Sequence, residues 1–252
     1  MGMEGEVKVK SLKKALDILS YFSEKPLLGV TEISTHFGIN KSSVHNILST
    51  FEAAGYVEQD KESGKYRLGM RIFNLSRALG DNYAITKIAM PYLQELANRT
   101  GQRVYLAINY QMQVLYLEAM YPKASFHLIR NMLGSREELY CTGLGKAMLA
   151  YMPAETVDAY LTRSFHVYTD HTIVEPDKLR EELGLIRQRG YAVDNMEREF
   201  GIRCVAIPIH DRNRKVYAAI SVSGHATFVT DEKISEWAIL IKEYVMEIEK
   251  RL

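Results

Sequence analysis

Apolar residues in the first 54 positions recur at intervals of three and four, and this spacing leaves few folds open to the amino-terminal part of the chain. The pattern predicts helices over 11–24, 31–37 and 41–54, with Ser11 and Thr31 as capping residues of the first two. A short glycine-containing turn joins the second helix to the third. Two helices joined in this way form a helix-turn-helix.

Two short extended segments follow the third helix. They cover 56–60 and 65–68 and flank the polar turn Lys61-Glu62-Ser63-Gly64, an arrangement that predicts a hairpin. A hairpin placed directly after a helix-turn-helix is the wing of a winged helix-turn-helix domain. Domains of this kind bind double-stranded DNA, so the third helix and the hairpin are the segments to inspect for DNA contacts.

The third helix has one apolar face and one polar face. With its apolar residues turned inward, short hydrogen-bonding groups face outward, and these suit phosphates and base edges in the major groove. The hairpin adds two cations that can reach the flanking backbone. A polar helix face is also what ordinary solvation produces. The predicted DNA contacts are Lys41, Ser42, Ser43, His45, Asn46, Ser49, Lys65 and Arg67.

Charge alone does not indicate a nucleic-acid partner. The chain has 32 Lys and Arg against 31 Asp and Glu, a formal net charge of +1, and residues 1–69 carry nine of each sign. A DNA-binding domain without net charge, here called the head, makes few phosphate contacts and binds DNA weakly at physiological salt. Dimerisation would double the contacts. The predicted helix over 70–83 is the natural place for it, although its stripe of Ile72, Leu75 and Leu79 is also suited to packing on its own domain.

The rest of the chain mixes helical and strand patterns, which predicts an α+β body. The 252 residues include two cysteines, too few for a disulfide framework, and neither a signal peptide nor a membrane span is recognisable, so we expect a cytoplasmic protein without a membrane partner. The predicted helices cover 84–100, 144–151, 154–161, 176–189 and 231 onward, and the predicted strands cover 104–109, 114–118, 125–130, 191–194, 203–209 and 216–223.

A ligand pocket is predicted where small polar residues share a face. Alternation along 216–223 places Ser221 and Ser223 on one side of the strand, and Cys204 is on the small-residue face of the strand over 203–209. Thr142 can cap the helix that begins in Gly143-Leu144-Gly145, and the start of a helix favours an anion such as a carboxylate. These residue types are also common in plain packing.

An enzyme is the competing interpretation. Cys204 or Cys141 would be a thiol nucleophile, but the sequence identifies no partner for either, and lone buried cysteines are usually inert. His166 and His171 make a weak metal pattern that ordinary loop polarity explains as well. We therefore predict a non-enzyme, with no catalytic residue, no metal ligand and no cofactor, and keep a thiol-dependent enzyme using Cys204 as the alternative.

Two further segments are specific. They read LYCTGLGKAMLA over 139–150 and RGYAVDNMERE over 189–199, and the latter continues through GIRCVAIP over 201–208 to AISVSG over 219–224. With these runs, and with AGYV at 54–57 after the third helix, the chain resembles the IclR family of bacterial transcription regulators over nearly its whole length.

The resemblance implies an architecture and a function. The architecture is a winged helix-turn-helix DNA-binding domain over 1–69, a linker helix over 70–83, and a GAF-like effector-binding and oligomerisation domain over 84–252. The function is regulation, with repression favoured over activation, by a homodimer or dimer of dimers that binds a DNA operator and a small-molecule effector. At positions matching the family, the implied effector contacts are Gly143, Leu144, Asp194, Cys204, Ser221 and Ser223.

Overall fold

The computed structural model describes residues 7–82, 84–123 and 132–252. The chain divides into two compact units, Gly2–Tyr83 and Ala84–Leu252. Helices and antiparallel strands occur in both, which confirms the predicted α+β class. The strand predicted over 125–130 lies outside the described residues.

The amino-terminal unit has the predicted helix, turn, helix and hairpin. Its strands pair in antiparallel register, with Val57 opposite Leu68, and Leu28 forms an additional bridge to Tyr66 through two backbone hydrogen bonds of 3.0 and 2.8 Å. Nothing in the sequence pattern indicated that bridge. The elements are α1 (Lys10–Tyr21), α2 (Val30–Phe37), α3 (Lys41–Ala53), β1 (Val57–Gln59), β2 (Tyr66–Leu68) and α4 (Met70–Asn82).

The predicted caps of the first two helices are wrong. Helix α1 begins at Lys10 and no side chain caps it, so Ser11 lies inside the first turn. Helix α2 follows Gly29, whose N–H donates to Glu32 Oε2 at 3.3 Å, so Thr31 is also inside the helix. The side chain of Glu32, the third residue of α2, therefore accepts the N–H of the cap residue, and the hydroxyl of Thr31 has no capping role.

The apolar stripe of α1 is only partly buried. Ile18, Tyr21 and Phe22 lie in the core of this unit, whereas the side chains of Leu12 and Leu16 are 56% and 48% exposed. Helical spacing predicted the stripe correctly, but it could not tell which apolar residues pack within the unit and which remain on its surface.

The carboxy-terminal unit is built on a six-stranded antiparallel sheet of order β5-β4-β3-β8-β7-β6. One face, which carries Tyr105, Ala206 and Ala219, packs with residues of α6, α7 and α8. Helices α5 and α9 contact each other and the central strands. The elements are α5 (Ala84–Thr100), β3 (Arg103–Tyr110), β4 (Gln113–Met120), β5 (Arg136–Glu138), α6 (Gly143–Leu149), α7 (Ala154–Leu161), α8 (Pro176–Arg189), β6 (Ala192–Asn195), β7 (Ile202–His210), β8 (Val216–His225) and α9 (Asp231–Glu249).

Strand β5 was not predicted, because three charged residues show no alternation that distinguishes a strand from a loop. It matters for the site described below, because it places Glu137 opposite Val114 at the edge of the sheet.

The cap of α6 is the predicted one. Thr142 Oγ1 accepts the N–H of Gly145 at 3.1 Å and donates to the carbonyl of Glu138 at 2.9 Å. We expect Thr142→Ala to lower the free energy of unfolding of this unit by about 1 kcal/mol, because a buried cap is lost. Thr142→Ser keeps the hydroxyl and is expected to lose far less. Urea unfolding followed by Trp237 fluorescence measures both, and equal losses would contradict the capping role.

Candidate functional sites

The first candidate site is the exposed face of α3. This helix starts after Asn40, whose Oδ1 accepts the N–H of Ser43 at 2.8 Å and the hydroxyl of Ser42 at 3.0 Å. Asn40 lies in the predicted turn between the second and third helices, and its role as the cap was not predicted. The bond to Ser43 satisfies one of the N–H groups that a helix start would otherwise offer to a phosphate.

The polar residues of α3 are divided between exposed and half-buried positions. Lys41, Ser42, His45 and Asn46 are exposed, whereas Ser43 and Ser49 are half-buried. His45 Nδ1 lies 3.4 Å from Ser49 Oγ. Because residues 42, 45, 46 and 49 recur at intervals of three and four, they share one side of the helix. The structure thus brings this part of the predicted set together.

The two predicted cations of the hairpin are already paired with acids. Lys65 Nζ lies 3.5 Å from Glu32 Oε2, and an Arg67 terminal nitrogen lies 3.4 Å from Glu58 Oε2. All four side chains are well exposed, and ion pairs of this kind contribute little stability. Exchanging these carboxylates for phosphates therefore costs little.

The second candidate site is a row of polar side chains that crosses four strands of the large sheet. Arg103 on β3 is opposite Ser223 on β8, Ser223 is opposite Cys204 on β7, and Cys204 is opposite Asp194 on β6. All four line one cavity. Its cation and its carboxylate stand at opposite ends of the row, about 14 Å apart between backbones at the usual strand spacing.

The cavity has a volume of about 160 Å³. Tyr105 and Tyr116 form part of its wall, with their rings edge to face and centroids 5.3 Å apart. All six residues that the family resemblance implied are in its lining, namely Gly143, Leu144, Asp194, Cys204, Ser221 and Ser223.

Gly143 permits the close approach of α6 to the sheet. A Cβ atom at this position would lie 2.6 Å from Cys204 Sγ and 3.4 Å from the Cβ of Ala206. The first glycine of the Gly-Leu-Gly run is therefore required by packing against β7. Because α6 has only seven residues, its dipole is a minor source of anion affinity.

The two arginines of the cavity and two of its acids, Glu137 and Glu199, were not predicted from sequence. Arg198 forms a two-pronged ion pair with Glu137, at 2.6 and 3.2 Å, and stacks over Tyr168 with its guanidinium carbon 4.2 Å from the ring centroid. Among the side chains that the structure describes, no carboxylate lies within 4.0 Å of the Arg103 guanidinium, which interacts with the hydroxyl of Tyr105. The alternation of side chains along a strand would have placed Arg103 on the same face of the sheet as Tyr105. The register of β3 against β8, which aligns Arg103 with Ser223, is not visible in the sequence.

A buried ion pair lies behind the cavity wall. Lys146 of α6 is 1% exposed, and its ammonium contacts Glu197 Oε1 and lies 4.0 Å from Glu182 Oε1. Burial raises the pKa of the Glu197 carboxyl and Lys146 opposes that rise. Neither residue was singled out from sequence, although a lysine inside an otherwise apolar helix was a visible signal.

Asp194 is the most perturbed carboxyl group of the cavity. Burial raises the pKa of Asp194 to about 7; the neighbouring Glu197 charge adds to the rise, and Lys146 and two backbone N–H groups oppose it. Its Oδ1 accepts the N–H of Glu197 at 2.8 Å. Near neutral pH this carboxyl is therefore divided between its protonated and ionised forms.

The thiols do not have the environment of a nucleophile. Burial raises the pKa of both Cys204 and Cys141, and the Asp194 charge raises them further. A reactive cysteine needs the opposite shift. The alternative of a thiol-dependent enzyme therefore has no support from this geometry.

The described residues contain no cluster of three or more His, Cys, Asp and Glu side chains arranged to hold a metal. Within the same part of the chain, no helix combines the length and the apolar character required to cross a membrane.

Comparison with known proteins identifies the family. Residues 78–250 match the bacterial transcriptional regulator IclR C-terminal family, and residues 11–61 match the IclR helix-turn-helix domain. The transcriptional repressor IclR of Escherichia coli is 30% identical over 95% of this chain and 89% of its own length. The crystal structure of the Thermotoga maritima IclR is 34% identical and superimposes with a TM-score of 0.81 over 96% of this chain and 98% of that one.

A second similar structure was solved with a ligand. It is an IclR homologue from Microbacterium hydrocarbonoxydans complexed with 4-hydroxybenzoate, 20% identical, with a TM-score of 0.84 over 95% of this chain and 98% of that one. At this identity the likeness concerns the fold. Since the two family matches together cover most of the sequence, the chain belongs to the IclR family of bacterial transcriptional regulators.

Proposed function

We propose that this chain is a repressor that binds double-stranded operator DNA and changes its DNA affinity when a small organic acid occupies the cavity of the carboxy-terminal unit. Residues 1–69 form the DNA-binding domain, 70–83 the linker helix, and 84–252 a GAF-like effector-binding and oligomerisation domain. The observation that carries the proposal is the row Arg103, Ser223, Cys204 and Asp194 in one cavity. As a DNA-binding regulator the protein works in the cytoplasm, without catalysis and without a cofactor.

The ligand class follows from the groups that line the cavity. Arg103 offers a guanidinium without a carboxylate partner among the described side chains, and Ser221 and Ser223 offer buried hydroxyls on the same face. A guanidinium with neighbouring hydroxyls favours a carboxylate, which accepts hydrogen bonds from both. The 4-hydroxybenzoate bound by the Microbacterium homologue is such a carboxylate and supports this class.

DNA binding is assigned to α3 and the hairpin. Lys41, Ser42, Ser43, His45, Asn46 and Ser49 form the surface that enters the major groove, and Lys65 and Arg67 contact the flanking phosphates. The match to the IclR helix-turn-helix domain over residues 11–61 supports the assignment of α3. A single neutral head binds weakly, so the active species is a homodimer or a dimer of dimers.

Exposed apolar residues in the amino-terminal unit support self-association. Leu12 and Leu16 on α1 are exposed, as are Met70, Phe73 and Leu75 on α4. Apolar side chains left on the surface in such number are typical of an interface. The ligand changes DNA affinity only if it binds one arrangement of the two heads more tightly than another.

We expect the double variant Ser221→Ala/Ser223→Ala to weaken carboxylate binding by about tenfold, because each lost hydrogen bond costs roughly 0.5–1.5 kcal/mol. Electrophoretic mobility shift with DNA selected in vitro by the wild type tests the function directly. A carboxylate such as 4-hydroxybenzoate should release wild-type protein from that DNA at a concentration about tenfold below the one needed for the variant.

The matched control is Ser235→Ala, which removes a hydroxyl from α9 outside this cavity and should leave the response unchanged. Wild-type protein that selects no DNA sequence would overturn the assignment of DNA binding. DNA binding that no small carboxylate affects would overturn the ligand class.

A further inference from the structure

The cavity proposed to hold an anion is lined by more acid than base. Two arginines, Arg103 and Arg198, face three carboxyl groups, Glu137, Asp194 and Glu199. Arg198 and Glu137 neutralise each other as an ion pair. Glu199 is exposed at the rim, where water and salt screen its charge. Arg103 then remains as the group that favours an anion, and the buried Asp194 carboxyl remains as the group that opposes one.

Asp194 is surrounded by titratable and polar groups, and among the described residues Lys146 is a cation whose charge opposes the rise in its pKa. Opposite it on β7 is the Cys204 thiol, and the loop after β6 contributes the Glu197 carboxyl and backbone N–H groups. Among the described residues, the titratable groups that influence Asp194, or that it influences, include Lys146, Glu197, Cys204, Cys141 and Tyr116.

The ammonium of Lys146 is already committed. It contacts Glu197 Oε1 and lies 4.0 Å from Glu182 Oε1, so two carboxylates other than Asp194 share it. The contact with the ammonium favours the ionised form of Glu197, against the effect of burial. Asp194 is left as a buried carboxyl without a cation of its own, and burying a further anion in the same cavity is unfavourable unless one of the two charges is removed.

We propose that Asp194 binds a proton when a small carboxylate enters the cavity, so that ligand binding is coupled to proton uptake and weakens as pH rises. This inference rests on the proposed function, because it takes the carboxylate site as given. In the bound state the neutral Asp194 keeps its acceptor bond from the Glu197 N–H and offers its own O–H to the ligand. One proton moves from solvent to Asp194, and no covalent bond changes.

The pH range follows from the state of the free protein. Since the pKa of Asp194 is raised to about 7, the group is mostly protonated at pH 6 and mostly ionised at pH 8. An added anion raises the pKa further, so the bound form stays protonated over this range. Binding at the higher pH requires proton uptake, and the affinity should fall by about tenfold between pH 6 and pH 8.

Titration calorimetry of the full-length protein with acetate, benzoate and 4-hydroxybenzoate tests this directly. Measured at pH 8 in buffers of different ionisation enthalpy, the binding enthalpy should reveal an uptake of about one proton per site, and about none at pH 5.5. Asp194→Asn preserves the shape and the acceptor for the Glu197 N–H, and its amide donates as the protonated acid does. Its affinity should be independent of pH and should exceed that of the wild type at pH 8.

Glu199→Gln is the matched control. It removes the same charge from the rim of the same cavity and should leave the proton uptake unchanged. Infrared spectroscopy provides a readout that needs no ligand: the band of a protonated carboxylic acid should be present in wild-type protein at pH 6, decrease as pH rises through about 7, and be missing from Asp194→Asn.

Binding of a carboxylate without proton uptake, or an Asp194→Asn variant that keeps the wild-type pH dependence, overturns this inference and leaves the proposed function standing. If the infrared band of the protonated carboxylic acid disappears below pH 5, this inference is also overturned and the proposed function stands. Failure of wild-type protein to bind any of the three carboxylates at any pH overturns both proposals.

Discussion

Lys146→Met is expected to lower the free energy of unfolding of the carboxy-terminal unit by about 3–5 kcal/mol, because it leaves the Glu197 carboxylate buried without a cation. Glu197 is 4% exposed, and its Oε2 has no hydrogen-bond partner among the described residues. Methionine matches the length of lysine, so the change removes charge rather than volume. Urea unfolding monitored by Trp237 reports on this unit, since the chain's one tryptophan lies in α9.

The pH dependence of the loss identifies its cause. Without Lys146 the pKa of Glu197 rises further above its unfolded value, so the folded variant gains stability from protonation at low pH and loses it as pH increases. The deficit relative to wild type should therefore be smaller at about pH 5 than at about pH 8. Had Lys146 acted only by filling space, the deficit would be the same at both.

A double variant provides the control. Lys146→Met/Glu197→Met removes both charges together and should be more stable than Lys146→Met alone, because a pair of apolar residues of similar volume often replaces a buried ion pair at little cost. A double variant as unstable as the single one would contradict the assignment of the loss to an unpaired charge.

Features of this fold that depend on neighbouring residues were predictable from sequence. Thr142 stands before a glycine-containing apolar helix and caps it, and strict alternation placed Ser221 and Ser223 on one face. The helix-turn-helix and hairpin were predictable for the same reason. Each depends on spacing within about ten residues, where local geometry determines which side chains share a side.

Features that depend on pairing between distant segments were not predictable in this way. The bridge between Leu28 and Tyr66 and the alignment of Arg103 with Asp194 across four strands require the register of the sheet. The ion pair of Lys146 and Glu197 joins residues 51 positions apart. The family resemblance supplied six cavity residues without this register, but it indicated neither the arginine at the end of the row nor the buried cation behind it.

The exposed residues of α1 illustrate a different difficulty. The spacing of Leu12 and Leu16 is as regular as that of buried residues, and only the structure shows them on the surface. Apolar periodicity indicates that one face of a helix will be buried. It does not specify whether that face packs against the same unit or against a second copy of the chain. In a dimer, every DNA contact made by one head occurs twice, so one substitution in α3 removes two contacts with the operator.

Asn46→Ala is expected to reduce affinity for the selected operator by at least about 30-fold. Asn46 is exposed on the same side of α3 as Ser42 and His45, and an asparagine that pairs with an adenine edge contributes about 1–3 kcal/mol, a contact that the proposed homodimer makes twice. Affinity for random DNA should be nearly unchanged, because Asn46 carries no charge and releases no counterion.

Fluorescence anisotropy at fixed salt measures both affinities, and sequence selection repeated with the variant should give a less specific site at one base pair in each half. Asn213→Ala makes the same chemical change in the exposed turn between β7 and β8 and should alter neither quantity. Equal losses on operator and random DNA would mean that Asn46 contacts the backbone rather than a base. Unchanged operator selection would show that Asn46 does not read a base edge.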